Sequence, residues 1–153
     1  MSPIVRAWLA FAAVGAGIVH LALAVNSAVS IALALLGVLE FGWGLFVMAA
    51  ARLVAPRVTI GGAFAAVAAS IGLLFLPDGP SAIALLIAAA LAFFVAVTIA
   101  VSLRRTAAST PSTGRYVLGI LAGGLVIAAV VAPALASTTV QDLSVEFVDQ
   151  HGH

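Results

Sequence analysis

The chain has 153 residues, 65% hydrophobic and 7% charged, with six cationic and five acidic side chains. A soluble domain is about 45–50% apolar and about 25% charged, so so few charges cannot coat a water-facing surface. That excludes a soluble enzyme, a nucleic-acid-binding domain and a disordered tail, and makes lipid the solvent. There is no cysteine, hence no disulfide, thiolate metal site or thiol chemistry. All six cations are arginine, which with the heavy use of alanine points to a high-GC bacterial source.

Five apolar runs follow one another, at about residues 7–25, 29–53, 58–76, 81–103 and 116–136. Each is long enough to cross a hydrocarbon core of about 30 Å as an α-helix. Asn26-Ser27 forms the first corner and Pro56-Arg57 interrupts the second junction. Pro77-Asp78-Gly79-Pro80 is a strong turn, and the stretch from Arg104 to Arg115 is the one real loop. The runs are too long, and alternate too little, for a β-barrel. The fold expected is all-α, a polytopic bundle of five transmembrane helices over residues 1–136 with a polar tail at 137–153.

Arginine placement sets the orientation. With the N-terminus in the cytoplasm, Arg6, Arg52, Arg57, Arg104, Arg105 and Arg115 all fall on the cytoplasmic side. Asp78, Asp142, Glu146 and Asp149 fall outside with the tail. Trp8 and Tyr116 then read as interfacial belt aromatics. Arg6, the first apolar run and Ala22-Leu23-Ala24 also resemble a signal peptide, whose cleavage would leave four spans in the same orientation. Beyond the first hairpin, packing between sequential neighbours is the default.

Two strongly ionisable residues lie well inside spans, His20 and Glu40. A charged side chain at the bilayer centre costs at least about 2.5–3.5 kcal/mol, so such residues face the bundle interior and mark candidate sites. His20 shares a helical stripe with Ala13, Ala16, Gly17 and Ala24, and Glu40 with Gly37, Trp43 and Gly44. Small residues on one stripe permit close helix contact. In a hairpin turning at Ser27 the two are offset by about 9 Å at 1.5 Å per residue, and their side chains lean toward each other. A direct or water-bridged hydrogen bond is one outcome, a residual gap the other. Trp43 lies too deep for a belt residue, and Glu40 is the candidate partner for its indole N–H. The site reads as a polar clamp fixing helix register, as a metal, proton or small-ligand site, or as a contact for lipid headgroups or a partner subunit. One His and one Glu are too few for a closed metal site.

Further on, Gly119 and Gly123 form a small-xxx-small face, and Gly61, Gly62 and Ser70 read as a similar packing surface in span three. Thr59, Thr98 and Ser102 are placed to return their hydroxyls to backbone carbonyls of the preceding turn. Pro133 sits near the external end of span five. In the tail, Leu143, Val145 and Phe147 alternate with Ser144, Glu146 and Val148, which predicts a short strand seeking a partner. The chain ends on Asp149, His151 and His153, an imidazole-rich terminus suited to copper or zinc. A frayed polar end or a remnant of added sequence is the alternative there.

Gly17-Ile18-Val19-His20-Leu21-Ala22 and Gly37-Val38-Leu39-Glu40-Phe41-Gly42-Trp43-Gly44 together resemble small uncharacterised polytopic membrane proteins of actinobacteria. The resemblance covers mainly residues 12–47. It implies a His late in helix one, a Glu or Gln in mid-helix two and sometimes a His-rich C-terminus, in a setting near copper-handling systems. No nucleophile–base pair or phosphate loop is visible, so a non-enzymatic protein of the bacterial plasma membrane is expected. The leading expectation is an accessory or assembly subunit of a larger membrane complex, its tail docking a partner or capturing copper. The alternative is a small oligomeric transporter or channel in which His20 and Glu40 line a polar path. An axial haem ligand at a histidine is a third.

Overall fold

The computed structural model consists of five α-helices: α1 (Pro3–Ala24), α2 (Ser30–Ala50), α3 (Pro56–Leu73), α4 (Ala82–Arg104) and α5 (Thr113–Gln150). It describes the chain apart from Asn26, Ala28, Ala51, Arg52, Val54, Asp78 and residues 105–112 and 151–153, and gives the backbone alone for Arg115, Tyr116 and 138–150. Of the orientation-setting residues, Arg52, Asp78 and Arg105 therefore lie outside the described residues, as does Asn26 of the first corner. All five helices are long and apolar enough to span a membrane. The described residues contain no strand.

The helices begin where local chemistry permits. Ser2 caps α1 by accepting the Val5 N–H at 3.3 Å, and Pro3 follows at the first position, where its missing N–H costs nothing. Ala55 precedes α3 in the left-handed conformation (φ 45°, ψ 54°). A side chain there costs about 1–2 kcal/mol. Thr59 holds it by returning both its N–H and its hydroxyl to the Ala55 carbonyl, at 3.0 and 3.2 Å. Ser102 likewise donates to Ile99 O at 2.8 Å.

The first helix is the centre of the bundle. It packs against α2, α4 and α5, while α4 also packs on α3 and α5. Small side chains make this possible: Ala10, Ala12, Ala13, Gly15, Ala16 and Gly17 are all buried. Gly17 faces Gly37 and Phe41, and Gly44 faces Ala10 and Val14, so α1 and α2 are antiparallel. A Cβ on Gly17 would stand 2.7 Å from the Gly37 carbonyl oxygen. On another face of α1, Ile4 meets Gly119, Trp8 meets Gly123, and Gly15 meets Ile127 and Val131. Hence α1 and α5 run parallel. Edge-on stacking of Phe64 and Phe93 (centroids 6.4 Å apart) joins α3 to α4. Leu39, Val58 and Leu125 point outward, more than two-thirds exposed, toward what is acyl chain in a bilayer.

Several expectations change. Sequential packing fails between α2 and α3, which share almost no contact because each leans on a different central helix. Gly61 and Gly62 meet nothing within 4 Å, so they are no packing face. Residues 140–148 are helical, since α5 continues to Gln150. A lone strand would leave its backbone groups unpaired, whereas a helix satisfies them within the segment. Trp8 is an interhelical residue: its indole N–H donates to the Gly119 carbonyl at 2.7 Å, over the space left by Gly123. Trp8→Phe keeps the ring and removes the donor. It is expected to lower stability by about 1 kcal/mol, typical of an interhelical hydrogen bond in a membrane protein, as read from the midpoint of unfolding in sodium dodecyl sulfate.

Candidate functional site

Three polar residues of the membrane domain, His20, Glu40 and Ser70, converge on one place. The Gly17–Gly37 crossing brings α1 and α2 close enough that His20 and Glu40, offset along the hairpin, still meet: Nδ1 of His20 lies 2.7 Å from Oε2 of Glu40. Both side chains point toward the N-terminus of their own helix, which in an antiparallel pair means toward each other. His20 is fully buried, and Glu40 keeps 15% of its side-chain surface.

A third helix completes the arrangement. Nε2 of His20 lies 3.2 Å from the Ser70 hydroxyl, and Ser70 donates to the Ala66 carbonyl at 2.9 Å. The Ser70 proton is thus engaged by backbone, so its oxygen accepts from His20 Nε2–H. One more proton is then shared between Nδ1 and Oε2, either as neutral imidazole with carboxylic acid or as imidazolium with carboxylate. Both forms leave the pair without net charge, the condition favoured where water is absent. The sequence reading assigned Ser70 only to packing. A signal was available: His20 lies four residues before the end of α1 and Ser70 three before the end of α3, so two parallel helices hold them at one depth.

The other side of Glu40 faces open space. Because α2 and α3 stand apart, they enclose a cleft of about 330 Å³ floored by α1 and α4. Ala16 and Ala92 belong to the floor, Leu39 and Trp43 to one wall, and Gly62 to the other. The cleft runs from Glu40 toward Thr59 and Ala55 at the start of α3. It is apolar but for a few groups. Oε1 of Glu40 accepts no hydrogen bond from a described residue. The indole nitrogen of Trp43 is buried and unpartnered, so the expected Trp43–Glu40 hydrogen bond is absent. The carboxylate is drawn to His20 and away from the indole.

Gly17, Gly37 and Gly44 build the α1–α2 contact on which His20 and Glu40 depend, and Gly119 and Gly123 seat α5 on Ile4 and Trp8. No group of three metal-ligating side chains converges among the described residues. His151 and His153 of the expected metal-binding tail lie outside the described residues, and only the backbone of Asp149 is described. Comparison with protein-family models, curated proteins and solved structures finds no match for the chain.

Proposed function

We propose that the chain is a small non-enzymatic transport protein of the bacterial plasma membrane. It takes a small lipophilic ligand into the cleft between α2 and α3 and carries it across. The observation that carries this reading is the position of Glu40. One oxygen is tied to His20 and the other faces an apolar cleft of ligand-binding size. A residue serving only as a clamp needs no such opening. His20 is fully buried and does not line the cleft, which favours a carrier whose cleft ends at Glu40 over a continuous polar channel.

The test is exchange of labelled small aromatic amines and ammonium ions across proteoliposomes. Gly62 lines the cleft with nothing near its Cβ position, so Gly62→Leu fills the space without a clash. Exchange by wild-type protein is expected to exceed that of Gly62→Leu at least tenfold. If no probe crosses faster than in protein-free vesicles, the chain is not a carrier.

A second reading has its own support. α5 continues about 20 Å past Ser137 at 1.5 Å per residue. Such a projecting helix suits an accessory subunit that docks a partner, with copper or zinc held at His151 and His153. Shortening the chain after Ser137 is then expected to free it from a complex recovered in mild detergent, and to abolish any copper response.

A further inference from the structure

We infer that the ligand is a small lipophilic cation, an ammonium with an aromatic or alkyl body, and that the site takes it in exchange for one proton. The inference rests on the carrier reading and concerns the charge of what is carried.

The cleft offers one unmet polar group, the acceptor Oε1 of Glu40. Beside it, one turn further along the same helix, lies the indole of Trp43, whose Nε1–H is buried. Glu40 is the one ionisable side chain lining the cleft among the described residues. A neutral donor on Oε1 gains a hydrogen bond. A cation gains in addition the Coulomb attraction of a carboxylate in low dielectric, and the adjoining indole face adds a cation–π contact. Arg57, in a hollow adjoining the cleft through Ala55 and Val58, is exposed, so solvent screens its repulsion. Among the described residues lining the cleft, the Trp43 N–H is buried and the Thr59 hydroxyl donates to the Ala55 carbonyl, so an anion meets no donor set there.

The hydrogen-bond chain behind Glu40 allows charge to be conserved. Before binding, the pair holds two protons, one on Nε2 facing Ser70 and one shared between Nδ1 and Oε2. When the cation arrives, one proton leaves to solvent. The remaining proton sits on Nδ1 and is donated to the carboxylate. Nε2 becomes an acceptor, and the Ser70 hydroxyl turns from Ala66 O to donate to it, within the 3.2 Å that separates them. One positive charge enters and one leaves, and His20, Glu40 and Ser70 each keep a hydrogen-bond partner.

Benzyltrimethylammonium and its neutral isostere neopentylbenzene differ in charge but hardly in shape. Each is added to the full chain in nanodiscs at matched membrane mole fraction, with the two tryptophan indoles labelled with nitrogen-15. Trp43 reports the cleft, and Trp8, bonded to Gly119, reports the fold. The cation is expected to shift the Trp43 resonance at a concentration at least tenfold lower than the isostere, and to release about one proton per cation into weakly buffered solution. Glu40→Gln is expected to abolish proton release and the charge preference with the Trp8 resonance unmoved. Equal responses to both probes without proton release would overturn the cation inference while leaving a cleft that binds ligands. Silence of Trp43 toward both probes would overturn the inference and remove the site on which the carrier reading rests.

Discussion

Gly17→Leu is expected to abolish folding of the bundle, whereas Gly42→Leu is expected to be nearly silent. Both replace a glycine within the first hairpin by the same side chain, but their surroundings differ. Added at Gly17, a Cβ meets backbone, 2.7 Å from both the carbonyl oxygen of Gly37 and the nitrogen of Phe41. Backbone cannot turn aside as a side-chain tip can. The helices must separate, and with them go the contacts of Gly37 with Leu21 and of Gly44 with Val14. Overpacking ordinarily costs about 1–3 kcal/mol; a rigid clash along a whole interface belongs above that range, comparable with the stability of a small domain. At Gly42 nothing lies within 4 Å, and the side chain enters lipid, so the change is expected to stay within about 0.5 kcal/mol. Retention of monodisperse protein after detergent extraction, followed by unfolding in sodium dodecyl sulfate, separates the two. Equal behaviour would mean that the α1–α2 contact is not the close glycine crossing described.

His20→Leu is expected to cost more stability than the double replacement His20→Leu with Glu40→Leu. The single change leaves a largely buried carboxyl without its partner and the Ser70 hydroxyl without its donor. Breaking a buried pair from one side costs about 3–5 kcal/mol, whereas replacing both partners by apolar groups is often neutral or stabilising. Membrane surroundings reduce such figures, because unfolded helices also find partners in the bilayer, so the lower end applies. Glu40→Gln keeps an N–H donor toward Nδ1 and is expected to cost less than about 1 kcal/mol. The measurement is a double-mutant cycle on unfolding free energy, with a coupling of at least about 1 kcal/mol expected. A double variant that folds as well as wild type yet exchanges no ammonium would show that the pair serves transport more than structure. If the double variant falls as far as the sum of the singles, the two residues act independently.

The bundle was legible because lipid leaves the backbone little choice. Runs near 20 apolar residues can only be helices, and the breaks at Pro56 and Pro77 locate their ends. The His20–Glu40 meeting was legible as a geometry with two outcomes, since it follows from helix rise, hairpin register and side-chain lean. What escaped depends on a third body. Ser70 carries no pattern of its own; it matters because α3 runs parallel to α1 and brings it level with His20. Trp8 sits where an interfacial aromatic belongs, and only the approach of Gly119 and Gly123 converts it to a helix–helix bond. The cleft was invisible for the same reason: it is the space left where α2 and α3 lean on different neighbours, a property of no single segment. The tail misled through its alternating pattern. A period of two favours a strand only when another strand is present to receive it, and the helix already running through Pro133 is the cheaper continuation.

The central place of α1 bears on how the protein is made. Of the five helices, α1 is made before the others yet is the last to be fully covered, because its Gly15 face waits for Ile127 and Val131, more than a hundred residues later in synthesis. Its first companion is α2, with α4 following before α5, and His20, which would otherwise face lipid, meets Glu40 as soon as the hairpin closes. Ser70 joins when α3 arrives. The acid–base pair therefore forms before the cleft that exposes it, so the nascent chain carries a neutralised site through every later stage of its assembly.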